Sequence, residues 1–294
     1  MAERFVLGVI GGSGLYALDG LTEMRTTRVE TPWGAPSGAL VRARLEGLDI
    51  VFMPRHGEGH AVPPSAINYR ANIDALKRAG VTDLLSLSAC GSLQEHLEPG
   101  HFVVVDQYVD RTFARQKSFF GAGCVAHVAM ADPVCARLSG LAADAAEAAG
   151  VAHVQRRGTY LAMEGPQFST RAESALYRSW GLDVIGMTNM PEAKLAREAE
   201  LPYASVCMVT DYDCWRAPDA DVAIAEILKV MAANTHHAHA MLRTLAKTLA
   251  GQTRTPSPQG IERTLDHAII TPPSHRDPVL VAKLDAVAGR VLRP

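Results

Sequence analysis

An apolar run from Phe5 to Ile10 reads as a buried strand, and it empties into Gly11, Gly12, Ser13 and Gly14. Two further runs, "GALVRARLE" and "LDIVFMP", flank a turn at Glu46, Gly47 and Leu48 and predict a hairpin that ends at Arg55-His56. Residues 66 to 79 change period: Ile67, Ala71, Ile73, Leu76 and Ala79 recur near helical spacing, with Gly80 as the residue after the cap. Strand-length apolar runs return in "TDLLSLSACG" and "HFVVVDQYV". Asp132-Pro133 predicts the start of an alanine-rich helix that ends at Gly150, and Thr170 with Glu173 predicts a capping box for a helix closing at Gly181. "TYLAME", "LDVIGM" and "YASVCMV" are strands around those helices, and 219 to 249 is a long terminal helix. The alternation predicts an α/β fold, a three-layer α/β/α sandwich whose central sheet is mixed because of the early hairpin. Residues 1–250 form the main domain, 251–260 ("GQTRTPSPQG") a linker, and 261–294 a helical, peripheral extension in which Asp277-Pro278 opens a short final helix.

Composition narrows the partners. With 294 residues, 48% of them hydrophobic, the chain can bury a large core without disulfides or metal. A net charge of −2 with scattered basic residues leaves no electrostatic footprint for nucleic acid or an anionic membrane, so the expected partner is a small molecule. Cys90, Cys124, Cys135, Cys207 and Cys214 are odd in number and lack C-x-x-C spacing, which argues for reduced thiols and against a zinc site. No signal-peptide pattern opens the sequence and no apolar run reaches membrane-spanning length, so the expected location is the cytoplasm.

Gly12, Gly14 and Ala17 satisfy the G-x-G-x-x-[GA] dinucleotide fingerprint, but that fingerprint needs a helix immediately after the turn. "LYALDGLTEMRTTRVETPWG" carries no apolar stripe at helical spacing. The turn suits a single anion better: glycines let backbone N–H groups approach closely, and Ser13 adds a hydroxyl.

Polar residues gather where predicted strands end: Ser13, Arg55-His56, Ser88-Ala89, Met187-Thr188 and Thr210-Asp211-Tyr212-Asp213. Singly, each also fits a solvated edge, a turn or a cap. Ligands of α/β sheets sit at the carboxyl ends of strands, so together they predict one site, in which hydroxyls, an imidazole and a forked guanidinium wrap a tetrahedral anion beside two carboxylates.

"GVIGGSGLY", "TPWGAPSG", "RHGEGHAVPPSAINYRANIDALK", "SACGSL", "DQYVDRT", "EGPQFSTRAES", "IGMTNMPEA" and "TDYDCW" stand in the order seen in one family. The chain resembles the S-methyl-5′-thioadenosine phosphorylases of the purine nucleoside phosphorylase superfamily over residues 8 to about 245. The resemblance implies a phosphate site of Ser13, Arg55, His56, Ser88, Thr188 and the backbone of Ala89. It implies Met187 on the ribose, Phe168 stacked near the purine, and Ser169, Asp211 and Asp213 at the base. His127 would reach the ribose end of a neighbouring subunit's site, in a homotrimer. Ile224, Ile227 and Leu228 would line a thioether pocket, although the same stripe fits plain core. Family members commonly carry threonine where this chain has Ser13 and Ser88.

The implied reaction is phosphorolysis, with phosphate as co-substrate and no metal or organic cofactor. Asp211 is the expected acid for the departing purine, its carboxyl kept protonated by burial and by Asp213. Two carboxylates favour the N6 donors of adenine. The alternatives at this stage are a 6-oxopurine nucleoside or methylthioinosine phosphorylase and, in a different class, a non-catalytic nucleotide-binding protein.

Overall fold

The structure is a computed structural model that describes residues 4–216 and 224–293; the side chains of Ser13, Tyr16 and residues 224–227 also lie outside that description. Its strands are β1 (Val6–Gly11), β2 (Thr22–Thr27), β3 (Leu40–Leu45), β4 (Leu48–Pro54), β5 (Asp83–Ser92), β6 (Phe102–Val105), β7 (Gln107–Asp110), β8 (Val154–Gln155), β9 (Thr159–Ala162), β10 (Val184–Gly186) and β11 (Tyr203–Asp211). The helices are α1 (Tyr69–Arg78), α2 (Ala136–Ala148), α3 (Arg171–Ser179), α4 (Asn189–Glu198), α5 (Ile224–Ala250), α6 (Pro278–Lys283) and α7 (Gly289–Leu292).

All eleven strands join one mixed sheet, in which β2-β3-β4-β1-β5-β10-β9-β7 form a path and β11 links β5 to β6 and through it to β8. β5 is the hub: it runs parallel to β1 and β11 and antiparallel to β10 at its last two residues. Alternation along the strands feeds two cores. Val51 and Met53 of β4 enter the one that α1 and α4 cover, while Ile50 and Phe52 enter the one beneath α2 and α5. Helices therefore lie on both faces, as the pattern predicts.

The hairpin and the capping box form as expected. Glu46 and Gly47, both at positive φ, make a two-residue turn, and Leu48 already belongs to β4. Thr170 accepts from the Glu173 N–H while the Glu173 carboxylate accepts from the Thr170 N–H. Two expectations need correction. "HFVVVDQYV" divides at Asp106, because β6 pairs with β8 and β11 whereas β7 pairs with β9. The alanine-rich helix starts at Ala136 rather than at Pro133: the Cys135 N–H donates to the Tyr203 carbonyl at 2.7 Å, and the Ala136 N–H is capped by Gln259 Oε1 at 3.1 Å. The long helix is described over Ile224–Ala250, and its expected first residues, 219–223, lie outside the described ones.

Residues after 250 pack against both faces of the sheet. Ile261 enters the core of α2 and α5, and Leu265, Ala268, Leu284, Val287 and Ala288 enter the other. In the stretch expected as a linker, Arg254 reaches Asp83, the first residue of β5, at 2.7 Å. The five cysteines are free thiols, and no helix among the described residues is long and apolar enough to cross a membrane.

Candidate active site

Register brings the polar strand ends together. Gly11 of β1 pairs with Pro54 of β4, Ile10 with Ser86 of β5, and Met208 and Asp211 of β11 with Ala89 and Gly91 of β5. Ala89 is exposed although it lies inside a paired strand with buried neighbours, so it floors an opening at the carboxyl end of the sheet. Gly11 is a steric requirement here, since a Cβ would fall 2.3 Å from Leu15 Cδ1 and 3.0 Å from the Leu87 carbonyl oxygen. The following turn, Ser13–Tyr16, is one short 3₁₀ segment, so no dinucleotide-type helix follows the glycines. His239 of α5 holds it, a ring nitrogen lying 2.9 Å from the Gly14 carbonyl oxygen.

Ser88 is buried, its hydroxyl 3.4 Å from Asn189 Oδ1 and 3.5 Å from Cys207 Sγ. Thr188 is buried too, and its N–H donates to the Tyr160 hydroxyl at 3.2 Å. That contact explains Gly186: a Cβ there would sit 2.2 Å from the same hydroxyl. His56 is half-buried, with Nδ1 2.9 Å from the Val62 carbonyl, and its ring stacks on His60 at 4.1 Å. Burial pushes its pKa down to about 4, and the Arg55 and His60 charges add to that, so the ring is neutral at pH 7 with its proton on Nδ1 and an acceptor at Nε2.

Arg55 departs from expectation. Its Nε and Nη2 donate to the two oxygens of Glu192 at 2.9 and 3.1 Å, Nη2 also meets Ser86 Oγ and the Ile10 carbonyl, and Nη1 donates to the Leu87 carbonyl. The side chain is 2% exposed. A guanidinium engaged this way has one hydrogen left, on Nη1, and cannot present a fork to phosphate. The expected two-oxygen grip is therefore replaced by a buried ion pair.

The base end is built from β11. Asp211 Oδ2 accepts from Thr210 Oγ1 at 2.7 Å and Oδ1 from the Asp213 N–H at 2.8 Å. Burial raises the Asp213 pKa from its ordinary value and the Asp211 charge adds to it, while the Ser174 and Ser169 hydroxyls pull the other way. Asp213 Oδ2 is buried without a well-formed hydrogen bond among the described residues. Asp213 is thus a carboxyl whose surroundings favour its protonated form. Ser169 is buried, with its carbonyl accepting from the Cys214 thiol at 3.2 Å, whereas Phe168 is 83% exposed and free to fold over a ligand.

Met187 is half-buried, and its carbonyl is held by Arg115 together with those of Met190 and Glu164. His127 is exposed, and its N–H donates to the Ala268 carbonyl at 2.9 Å. Leu228 is 58% exposed; the side chains of Ser13, Ile224 and Ile227 lie outside the described residues. Sequence reasoning passed over Glu192, Asn189, Tyr160, Arg115 and His239. Only Glu192 left a signal: it shares the buried helical stripe of Leu195, Ala196 and Ala199, where a carboxylate demands a partner.

The Phosphorylase superfamily matches residues 6–247. The chain belongs to that superfamily. It is 60% identical to the S-methyl-5′-thioadenosine phosphorylase of Cereibacter sphaeroides over 290 residues, 99% of each chain. It is also 60% identical to the enzyme of the same description from Bradyrhizobium diazoefficiens, across 98% of each. Among solved structures, a methylthioadenosine phosphorylase from an antarctic soil metagenomic library matches with a TM-score of 0.90 and 42% identity over 97% of this chain and 99% of that one. The Schistosoma mansoni methylthioadenosine phosphorylase in complex with tubercidin gives 0.81 and 36%, over 89% and 96%. As a superfamily member the chain has an α/β sandwich like those of its solved relatives, and its match to the curated relatives runs past residue 247 into the segment that packs on both faces of the sheet.

Proposed function

We propose that the protein phosphorolyses S-methyl-5′-thioadenosine to adenine and 5-methylthioribose 1-phosphate, with inorganic phosphate as co-substrate and neither metal nor organic cofactor. The observation that carries this reading is the Asp211–Asp213 pair, one carboxyl raised, standing one strand from the Ser88-Ala89 opening. Near-full-length identity to phosphorylases of that nucleoside supports it.

In this reading the Ser88 and Thr188 hydroxyls, the Ala89 N–H, the Ser13 turn and the remaining Nη1 hydrogen of Arg55 hold phosphate, and His56 Nε2 accepts from its O–H or from a ribose hydroxyl. A phosphate oxygen attacks the anomeric carbon as the bond to N9 breaks. Positive charge on the ribose is stabilised by the phosphate dianion, and the electron pair left on the purine is neutralised by a proton at N7. The aspartate pair holds that proton, with Asp213 its resting site and Asp211 the partner that faces the N6 amino group. Met187 packs on the ribose, Phe168 and Ser169 close over the base, and Ile224, Ile227 and Leu228 contact the methylthio group. We place the protein in the cytoplasm as a homotrimer in which His127 reaches a neighbour's site.

A panel of methylthioadenosine, adenosine, methylthioinosine and inosine, each with and without phosphate, tests the reading. Phosphate-dependent release of adenine from methylthioadenosine is the expected result. Turnover confined to the inosines, or base release without phosphate, would overturn it.

A further inference from the structure

Beneath the candidate anion site lies an ion pair between residues 137 apart in sequence, Arg55 and Glu192, whose side chains are 2% and 0% exposed. Burial works against the arginine's charge, but Glu192 more than offsets it and holds the pKa above the usual arginine value. The pair is fixed from every direction. Arg55 touches the Ile10 carbonyl of β1 and the Ser86 hydroxyl and Leu87 carbonyl of β5, and its own N–H donates to the Gly11 carbonyl at 2.9 Å. Glu192 Oε1 also accepts from the Tyr203 hydroxyl of β11 at 2.9 Å.

One carboxylate therefore ties together β1, β5, β11 and the residue that follows β4. The Ser13 turn and His56 follow the ends of β1 and β4, and Ser88-Ala89 lie in β5 directly after Leu87. The first residue of α4 supplies the remaining link: Asn189 Oδ1 faces the hydroxyls of Ser86 and Ser88 at 3.5 and 3.4 Å, its Nδ2 donates to Ser205 Oγ, and Thr188 directly precedes it. A cation meant chiefly to grip phosphate would be weakened by a bidentate buried carboxylate, whereas one meant to lock strand ends is completed by it.

We propose that Glu192 is a positioning residue of the anion cradle: acting through Arg55, and without touching phosphate, it fixes the ends of β1 and β4 against the middle of β5 so that their donors converge on one anion. The proposal rests on the phosphorolysis reading. It assigns phosphate affinity chiefly to hydroxyls and backbone N–H groups, beside the one remaining Arg55 hydrogen, whose placement depends on the charge pair behind them.

The test uses the full chain with Glu192→Gln and, should that variant not fold, Tyr203→Phe, which removes one hydrogen bond to the carboxylate without changing charge. Measured quantities are the phosphate KM at saturating methylthioadenosine, the nucleoside KM at saturating phosphate, and the Tm. Loss of one charge-assisted bond in a dry site is expected to raise the phosphate KM roughly tenfold or more in Glu192→Gln and about two- to fivefold in Tyr203→Phe, with the nucleoside KM within about twofold. A lower phosphate KM in Glu192→Gln would mean that the freed fork takes the anion, and it overturns the positioning role. So does an unchanged phosphate KM with a lower Tm, in either variant. Wild-type protein that releases adenine without phosphate overturns the functional reading as well; wild-type that needs phosphate, with variants that keep its KM, overturns the positioning role alone.

Discussion

Asp211 and Asp213 are two residues apart, yet their surroundings divide the work between them. Asp211 already accepts at both oxygens, while Asp213 Oδ2 has no well-formed hydrogen bond among the described residues and the Asp213 pKa is raised by burial and by its neighbour. A group raised in this way holds its proton to higher pH, so kcat should fall on the alkaline side as the proton is lost. Asp213→Asn is expected to lower kcat on methylthioadenosine by about 10²- to 10⁴-fold and to remove that alkaline limb. Asp211→Asn should cost a similar factor but shift preference, because its NH₂ donates to a 6-oxo group where the carboxylate accepted from N6. Steady-state rates on methylthioadenosine and methylthioinosine across pH check both; an intact alkaline limb in Asp213→Asn would return the acid to Asp211. Residue types were legible from the sequence and their division of labour was not. The shift at Asp213 depends on burial and on two hydroxyls about 40 residues away in sequence, Ser174 in α3 and Ser169 just before it.

At the scale of elements, local signals were read well wherever the deciding contacts were local. The Thr170–Glu173 box and the Glu46-Gly47 turn each rest on residues within three positions of one another. The start of α2 is decided from far away by Tyr203 and Gln259, so Asp132-Pro133 gave a false start. Arg55 is a related case: a strand-end guanidinium suggested a two-oxygen fork because nothing near it in sequence reveals Glu192, which occupies that fork. Helix α4 ends on another buried carboxyl, Glu198, which accepts from Ser118 Oγ and the Phe119 N–H at 2.7 Å each and so anchors the loop after β7. Burial lifts its pKa from 4.5 to about 7 against those two bonds. With the folded value above the unfolded one, its stabilising share is complete below about pH 4.5 and is lost as pH rises through about 7, a difference of up to about 3 kcal/mol. Glu198→Gln, whose amide can donate to Ser118 and accept from Phe119, should therefore gain stability relative to wild type between pH 5 and pH 8. Urea unfolding at the two pH values measures the change, and a constant difference between the proteins would mean that Glu198 does not titrate in that window.

At the scale of the whole molecule, the segment after residue 250 decides whether the sandwich stands by itself. Its composition, with Pro, Gly and Ser before a short helix, reads as a linker and appendage, because contacts that hold it are made with residues 65 to 171 positions away. Arg254 pairs with Asp83, whose buried carboxylate also takes Arg137 at the start of β5, the strand on which the site is built. Gln259 caps α2, Arg290 pairs with Glu200, and Leu265, Leu284 and Val287 close the core that α1 and α4 cover. Removing residues 252–293 would expose that core and leave Asp83 one cation short. Burying a Leu or Val side chain contributes roughly 1.5 to 3 kcal/mol, and stripping one partner from a buried ion pair costs about 3 to 5, so the sum is comparable with a typical domain's stability of about 5 to 15. A chain ending at Gly251 is expected not to accumulate as a folded protein. Arg254→Met separates the ion pair from the apolar packing: it should lower stability by about 2 to 4 kcal/mol in urea unfolding while leaving the phosphate and nucleoside KM of the folded fraction unchanged. A truncated chain that unfolds with the wild-type midpoint and slope would show that residues 252–293 only rest on the surface, and the burial of Leu265 and Leu284 would then contribute nothing to holding the sheet.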